Sequence, residues 1–494
     1  MNYISTRGAS KAGVTSAHAI KQGLADDGGL FMPSQIPTIS GEEIKGYLPL
    51  TYQERATKIL AKFLTDYTEE ELAKDTAEAY KSESFSPSPA PVVKFDNDTY
   101  ILELWHGPTC AFKDMALQIM PRLFVRALRK CGEKREALIL VATSGDTGKA
   151  ALEGYADIDG AKIQVFYPTD GVSHIQKLQM QTQRGDNVSV LGIKGNFDDA
   201  QSGVKSIFAD EDFVSELDSL GVFLSSANSI NWGRLVPQVV YYVSAYCDLI
   251  NEGRITLGDK IDVCVPTGNF GNIFACYIAK LMGLPVEKLV CASNSNNVLT
   301  DFIATGVYDK NRDFYSTISP SMDILISSNL ERLLYVTLGT EKCAKYMGEL
   351  NKYGKYALSE EEHAKVCNSF VGYYTGEEQT KDTIKRSFEE KNCLIDTHTA
   401  VALSASERYM NDYKTERVML VVSTASPYKF ANDVLCAVRG EKAESDVKAL
   451  NELQAISGVQ IPAPLSAVVS REPRHKSIID KTDMRRAVKE FAKG

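Results

Sequence analysis

This chain of 494 residues lacks several of the features that mark common protein classes. Its 10 cysteines, from Cys110 to Cys436, form no C-x-x-C pair, and its 6 histidines are equally scattered. That spacing excludes a zinc-finger type of site, and it is typical of buried thiols in a reducing compartment. The N-terminus has no apolar signal segment, and no apolar run reaches the length of a membrane span. We therefore expect a cytoplasmic protein with no metal and no membrane partner.

Positively charged residues are also outnumbered by negatively charged ones. Lys and Arg number 55 against 64 Asp and Glu, which gives a formal net charge of −9. Nucleic-acid binding requires clustered positive charge, so this balance argues against a nucleic-acid partner. A local pocket for a small anion remains compatible with it. Hydrophobic residues make up 44%, as in ordinary soluble globular proteins, and the length predicts about three domains.

The order of apolar patterns predicts an α/β fold. Before a linker at 85–93 that contains three prolines, helical spacing runs over 52–64 and 69–82. After it, apolar strands and helices alternate. The predicted strands are 100–105, 137–143, 162–167, 188–193, 261–265 and 418–423, and the predicted helices are 114–130, 148–155, 235–250 and one from 272. Continuous apolar strands between helices indicate mostly parallel sheets, whose ligands bind beyond the carboxyl ends of the strands.

The first loop after a predicted strand, HGPTCAFKD at 106–114, carries a candidate reactive lysine. Lys113 lies at the start of a helix, where the positive end of the helix dipole disfavours a protonated amine. A neutral lysine can act as a nucleophile towards a carbonyl or as a base. The alternative is an ordinary exposed lysine capped by Asp114.

The second loop, TSGDTGKA at 143–150, can bind a carboxylate or phosphate at a helix N-terminus. A plain helix cap built by Ser144 or Thr147 is the alternative. A Walker A motif would need a glycine at Thr143 and a hydroxyl at Ala150, so the match fails. A nucleophile elbow around Ser144 fails because Ala142 and Asp146 occupy its glycine positions.

Two further loops complete the set. PTGNFGN at 266–272 has two glycines and no cation, which favours a phosphate held by backbone amides, or simply a tight turn. STASPYKF at 423–430 offers the neutral hydroxyl of Thr424, or a cap. A lysine, a carboxylate site, a phosphate site and a neutral hydroxyl together match the requirements of pyridoxal 5′-phosphate.

The motifs HGPTCAFKD, SGDTG, PTGNFGN and TASPYKF resemble those of threonine synthases, pyridoxal-phosphate enzymes with a tryptophan-synthase-β-like fold. STRG at 5–8 and GLADDGGLFMP at 23–33 are similar to that family's N-terminal domain. The resemblance continues to SGVQIP at 457–462. It implies a large and a small α/β domain with mostly parallel sheets and a mainly helical N-terminal domain.

The resemblance also implies roles for individual residues. Lys113 would bind the cofactor as a Schiff base and move the α-proton of the substrate. The cofactor phosphate would lie on the backbone of Gly268, Asn269, Phe270, Gly271 and Asn272, and Thr424 would face the pyridine nitrogen. Ser144 and Thr147 would bind the substrate carboxylate. Asp146 stands where relatives of this fold often have Asn near the 3′-oxygen of the cofactor.

The implied substrate is O-phospho-L-homoserine, converted with water to L-threonine and phosphate. SANSINWGRL at 226–235 is similar to the substrate-phosphate region of the family, so Asn231 and Arg234 are the candidates there. A surface ion pair is the alternative for Arg234, and Lys149 and Lys177 are weaker candidates. His398, in DTHTA, is expected to make a structural hydrogen bond.

The expected domains are an N-terminal domain at 1–94, a large cofactor domain at 95–130 and 241–440, a smaller mobile domain at 131–240, and a helical extension at 441–494. A monomer or homodimer is expected. Three rival functions remain: a phospholyase that stops at elimination and releases a 2-oxo acid, an NTP-dependent transferase, and a non-catalytic relative. The failed Walker spacing argues against the second, and the intact Lys113 and phosphate loops argue against the third.

Overall fold

The structure is a computed structural model that describes residues 1–8, 13–143, 145–170 and 172–494. The N-terminal region is mainly helical, as predicted. Thr51 and Thr68 each begin a helix by a capping box, in which Glu54 and Glu71 bond back to the cap. Its elements are β1 Tyr3–Ser5, α1 Ser16–Gln22, β2 Phe31–Pro33, α2 Gly41–Tyr47, α3 Tyr52–Phe63 and α4 Glu69–Ala79.

The linker leads into the first strands of a large sheet and two helices. These elements are β3 Val92–Lys94, β4 Thr99–Glu103, α5 Asp114–Leu117 and α6 Met120–Lys130. The sequence predicts one helix over 114–130, and the structure has two. Pro121 lacks an amide hydrogen, and its ring clashes with the carbonyl four residues earlier, so α5 ends at Leu117. The Leu117 carbonyl then packs so tightly against Gly154 that a side chain there would overlap it.

The smaller α/β region follows. Its elements are β5 Glu136–Ala142, α7 Asp146–Tyr155, β6 Ala161–Pro168, α8 His174–Gln181, β7 Val188–Ile193, α9 Phe197–Ala209, α10 Glu211–Ser219 and β8 Val222–Ser225. All four strands pair in parallel, which confirms the predicted parallel sheet. The predicted strands over 137–143, 162–167 and 188–193 are confirmed to within a residue or two at each end.

The chain then returns to the large sheet. The elements are α11 Trp232–Leu235, α12 Pro237–Asn251, β9 Ile261–Pro266, α13 Gly271–Met282, β10 Val286–Ser293, α14 Val298–Thr305, β11 Val307–Asp309, α15 Leu330–Leu338, α16 Thr340–Tyr353, β12 Lys355–Ala357, α17 Glu360–Cys367, β13 Phe370–Tyr374, α18 Glu377–Lys391, α19 Thr397–Tyr413, β14 Met419–Ser423 and α20 Ala431–Arg439. Short 3₁₀ helices span Pro320–Met322 and Pro427–Phe430.

The large sheet has the order β13-β10-β9-β14-β4-β3, parallel except for the edge strand β3. Its three adjacent strands β9, β14 and β4 are each followed by one of the predicted site loops. The carboxyl ends of parallel strands lie at one edge of a sheet, so these three loops meet there. The fourth loop, after β5, comes from the smaller sheet.

The C-terminal region is not only helical. It contains α21 Asp446–Ser457, α22 Ala463–Ser470, β15 Ile478–Ile479 and α23 Met484–Ala492. β15 pairs in parallel with β7, so this region adds the edge strand of the smaller sheet. Two residues are too few to be recognised as a strand from sequence. Across the described ranges, no helix combines the length and apolarity needed to cross a membrane.

Candidate active site

A buried carboxylate fixes the loop that carries Lys113. Asp114 accepts hydrogen bonds from the Thr109 amide at 2.8 Å and the Thr109 hydroxyl at 2.7 Å. Burial raises the pKa of Asp114 to about 6. The Phe112 amide donates to the Thr424 carbonyl at 2.8 Å, which joins this loop to the end of β14. The first and fourth predicted loops are therefore in contact.

The Lys113 amine has few partners and is nearly enclosed, with 12% of its side chain exposed. Its Nζ donates to the Ser321 hydroxyl at 3.2 Å and lies 3.5 Å from Asp146 Oδ2. Burial lowers the pKa of Lys113, and the cations of Lys429 and Arg234 lower it further against the attraction of Asp146. The direction of this shift is the predicted one, with burial as its largest cause, and the role of Lys113 stays a prediction.

Asp146 lies between two lysines, and one of them was missed from the sequence. Its Oδ1 is 2.8 Å from Nζ of Lys429, whose side chain is fully buried. Although burial opposes it, the charges of Lys429 and Lys113 hold the pKa of Asp146 far below its usual range. Lys429 also donates to the Thr109 carbonyl at 2.9 Å and to Gln179 Oε1 at 3.2 Å. A lysine between the aromatic residues Tyr428 and Phe430, in the loop after β14, was the available signal, because a buried cation needs a partner.

The start of α7 is capped by a residue that the sequence analysis did not consider for this role. Thr143 Oγ1 accepts from the amides of Gly145 at 3.0 Å and Gly148 at 2.9 Å. Thr143 therefore satisfies these two amides at the start of α7. Ser144 itself lies outside the described residues. Within the described ranges, the half-buried Thr147 hydroxyl has no hydrogen-bond partner, and its predicted role in substrate binding stays a prediction.

The third loop has the geometry of an anion cradle. A Cβ on Gly268 would lie 2.7 Å from the Ser321 carbonyl oxygen, so only glycine fits there. Phe270 is left-handed, with φ 62°, and its side chain does not cap α13. Among the described residues, the amides of Gly271 and Asn272 donate to no acceptor. Free amides at the N-terminus of a 12-residue helix suit a phosphate.

Hydrogen bonds of Asn269 and Asn272 hold the rest of this loop in place. Asn269 is tied to the loop before α15: its carbonyl accepts from the Asn329 amide at 3.0 Å, and its Oδ1 accepts from Ser328 at 3.1 Å. Asn272 donates to the Pro266 carbonyl at 3.0 Å. These contacts fix the backbone that the predicted phosphate site uses.

Arg234 is a buried cation without a carboxylate. It is 5% exposed, and burial lowers its pKa to about 10. One Nη donates to the Ala227 carbonyl at 2.8 Å, whereas Nε is buried and has no partner among the described atoms. The alternative of a surface ion pair is therefore wrong, because the residue is buried and pairs with no carboxylate of the described residues. The side chain of the candidate Asn231 is already bonded, to the Ile20 carbonyl of α1 at 2.9 Å and to the Gly233 amide at 2.8 Å.

The other cations proposed for this region are occupied. Lys149 pairs with Glu153 at 2.7 Å and bonds to Gln183. Lys177 donates to the Thr169 carbonyl. Arg234 is thus the best placed of the predicted cations for an incoming anion.

Comparisons with known proteins agree with this geometry. Three family models match the chain: threonine synthase N terminus over 2–80, pyridoxal-phosphate dependent enzyme over 85–424, and threonine synthase, C-terminal, over 399–491. Threonine synthase of Pseudomonas aeruginosa is 37% identical over 88% of this chain and 90% of its own length. The chain belongs to the threonine synthase family.

Solved structures and a human relative extend this family assignment. Pyridoxal-phosphate-bound threonine synthase from Brucella melitensis aligns over 100% of both chains, with a TM-score of 0.88 and 34% identity. The yeast threonine synthase structure gives the same TM-score and identity over 99% of this chain and 97% of its own. Human "Threonine synthase-like 1" is 39% identical over 94% of this chain, and the match spans 62% of that relative's length.

The described residues fit the cofactor of the threonine synthase family. A buried amine of lowered pKa can form the covalent link, and the free amides at the start of α13 can hold a phosphate beside Gly268. Thr424 is 5% exposed, and among the described residues its hydroxyl bonds to no other group. A neutral hydroxyl that is free to bond is what the pyridine nitrogen of this cofactor can accept from.

Proposed function

We propose that this member of the threonine synthase family converts O-phospho-L-homoserine and water to L-threonine and phosphate. The net reaction breaks the Cγ–O bond and places a hydroxyl group on Cβ. The observation that carries the proposal is that two buried basic side chains lie close enough for the charge of one to act on the other. Neither has a full set of hydrogen-bond partners among the described residues. Lys113 is an amine of lowered pKa, and Arg234 is a buried guanidinium with a free Nε whose charge acts on Lys113.

The cofactor would be held by groups that the fold has already placed. The backbone from Gly268 to Asn272 would bind its phosphate, and the Thr424 hydroxyl would donate to its ring nitrogen. When bound, pyridoxal phosphate supplies an electron-withdrawing ring that stabilises the negative charge left at Cα of the substrate. The protein supplies binding, orientation and proton transfer.

Lys113 would move the protons. Its lowered pKa favours the neutral amine, and a neutral amine can accept the Cα proton at Nζ. The negative charge of Asp146, 3.5 Å away, acts in the opposite direction and favours the protonated amine.

Arg234 would bind the phosphate of the substrate. The planar guanidinium presents a fork that matches phosphate oxygens, and its free Nε is one prong of that fork. Asn231 would contribute by fixing the start of α11, which carries Arg234. The start of α7, with Ser144, Asp146 and Thr147, would bind the carboxylate end of the substrate, the backbone amides making the direct contacts.

The loop after β5 belongs to the smaller sheet and the other three loops to the larger one. Movement of the region 131–240 towards the large domain would exclude water, which protects reactive intermediates until hydration at Cβ is due.

The test is a product balance. The purified protein, loaded with pyridoxal phosphate, is incubated with O-phospho-L-homoserine, and threonine, 2-oxobutanoate and phosphate are quantified together. We expect threonine and phosphate in equal amounts. Phosphate with 2-oxobutanoate instead would identify the phospholyase. No phosphate release from the loaded protein would overturn the proposed substrate.

A further inference from the structure

A buried chain of hydrogen bonds reaches the Lys113 amine from a part of the molecule that the proposed mechanism does not use. Asp396 and His398 lie at the start of α19, with 0% and 2% exposure. Asp396 Oδ2 lies 2.7 Å from His398 Nδ1, and His398 Nε2 lies 3.2 Å from the Ser321 amide. The Ser321 hydroxyl in turn accepts from Lys113. The structural hydrogen bond expected for His398 is confirmed. Its donor is the amide of Ser321, the residue whose hydroxyl contacts Lys113.

The geometry fixes the protonation of the imidazole. The Asp396 carboxylate can only accept, so His398 Nδ1 carries a proton. The Ser321 amide can only donate, so Nε2 presents its lone pair. His398 is therefore a neutral imidazole with one tautomer, set by a buried carboxylate on one side and a backbone amide on the other.

Asp396 is itself firmly held. Its carboxylate caps α19 by accepting from the amides of His398 at 2.9 Å and Thr399 at 3.1 Å. The rigid start of a 17-residue helix thus anchors the imidazole, and the imidazole anchors Ser321.

Ser321 is placed between the two halves of the cofactor site. Its hydroxyl contacts the Lys113 amine, and its carbonyl oxygen packs over Gly268 in the phosphate loop. A shift of this residue would therefore change the position of the amine and the shape of the phosphate cradle together.

We propose that Ser321 is the resting acceptor for the Lys113 amine when it is not bonded to the cofactor, and that His398, aligned by Asp396, is the positioning residue that holds Ser321 there. This proposal rests on the proposed role of Lys113. In the free enzyme the hydroxyl aims Nζ at the space beside Gly268. In turnover it gives the released amine a fixed place from which to move the proton.

The charged groups that face the amine do not provide this aim. Asp146, on α7, lies 3.5 Å away and is shared with Lys429 on the segment after β14. Arg234, on α11, contributes a like charge. Ser321 is the neutral acceptor among these neighbours, so its loss leaves the ammonium less stabilised and moves the titration of Lys113 to lower pH.

Two substitutions of His398 separate positioning from packing. In H398N the amide can still donate to Asp396 but does not reach Ser321. In H398Q the longer side chain places an acceptor where Nε2 was, so the bond to Ser321 is restored. S321A removes only the hydroxyl, at a half-buried position, and H18N, at an exposed histidine, is the control.

Two measurements that need no substrate give the readout. Competitive acetylation of the apo protein, followed by mass spectrometry, gives the pH at which Lys113 becomes reactive. Titration with pyridoxal phosphate gives its dissociation constant. We expect S321A and H398N to move the acetylation midpoint to lower pH and to weaken cofactor binding about five- to tenfold, the worth of one hydrogen bond. H398Q and H18N should stay within twofold of the parent protein.

A double variant tests whether His398 acts through Ser321. If His398 acts through the Ser321 hydroxyl, S321A/H398N is no worse than S321A in either measurement. Equal behaviour of H398N and H398Q, or an S321A protein with unchanged acetylation and cofactor affinity, would overturn the proposal. Because neither measurement involves O-phospho-L-homoserine, a failure here is distinct from a failure of the proposed reaction.

Discussion

Two lysines contact the same buried carboxylate, and they are satisfied to very different degrees. Lys429 is fully buried and donates to Asp146, the Thr109 carbonyl and Gln179. Lys113 keeps 12% of its side chain exposed, lies farther from Asp146, at 3.5 Å, and donates to the Ser321 hydroxyl. Among the described residues, Lys429 therefore has more and closer partners than Lys113.

This difference indicates how one carboxylate serves both stability and chemistry. Lys429 is the nearer of the two cations to Asp146, and its charge lowers the pKa of this carboxyl more than that of Lys113 does. Lys113 is then free to lose its proton, which its burial already favours. An amine with few hydrogen-bond partners beside an amine with several is the pattern expected of a reactive group next to a structural group.

The largest expected effect is on turnover. K113A should reduce the formation of threonine and phosphate by at least about 10²–10⁴-fold, because the proton-transfer group is lost. The assay is the product balance, run with K442A, at an exposed lysine that pairs with Asp433, as the control. Substantial activity in K113A would remove the distinction between the two lysines.

The second effect falls on stability. K429M should lower the free energy of unfolding by about 3–5 kcal/mol, because Asp146 and the Thr109 carbonyl lose a buried partner. Denaturant unfolding measures this directly. K442M breaks an exposed pair and should cost no more than about 1 kcal/mol. Equal losses in K429M and K442M would contradict the structural role of Lys429.

Arg234 is a third buried cation in this comparison. Like Lys113, it has few hydrogen-bond partners among the described residues, and its Nε has none. R234Q should lower kcat/KM for O-phospho-L-homoserine about ten- to hundredfold, mainly through KM, because a charged hydrogen-bonding partner of the phosphate is removed. R234K keeps the charge but not the fork, so its loss should be smaller. An unchanged KM in R234Q would place the substrate phosphate elsewhere.

The smallest effect is a gain in stability. The pKa of Lys113 is lower in the folded state than its ordinary 10.5, so the folded protein binds its proton less tightly than the unfolded chain. Stability therefore rises with pH between the folded and the unfolded value, and below that window the amine is destabilising. K113M should raise the melting temperature slightly near neutral pH, and the gain should vanish above pH 10.5. A lower melting temperature for K113M would show that Lys113 is satisfied after all.

Local chemistry explains what sequence analysis predicted well. The helices that begin at Tyr52 and Glu69 are each capped by a threonine whose bonding partner, a glutamate, lies three positions further along the chain. The strands predicted over 137–143 and 188–193 are continuous apolar runs. The glycines at 268 and 271 mark a tight loop without reference to any distant residue. Where a breaker was present but not weighed, as at Pro121, the predicted helix was too long.

The site was only partly accessible to this reasoning. Its loops could be listed, but the adjacency of β9, β14 and β4 depends on strand order, which local patterns do not encode. The partners of Asp146 and Ser321 could not be found in the same way. Lys429 is far along the chain from Asp146, and His398 is 77 residues from Ser321.

The sequence by itself determined the alternation of strands and helices, the family, and a lysine and a phosphate loop as candidates, because each depends on residues that are neighbours in the chain. The tertiary structure alone decided that Lys429 has several close partners and that burial lowers the pKa of Lys113. Burial and charge pairing set that difference, and both arise only when distant segments are packed together and water is excluded from between them.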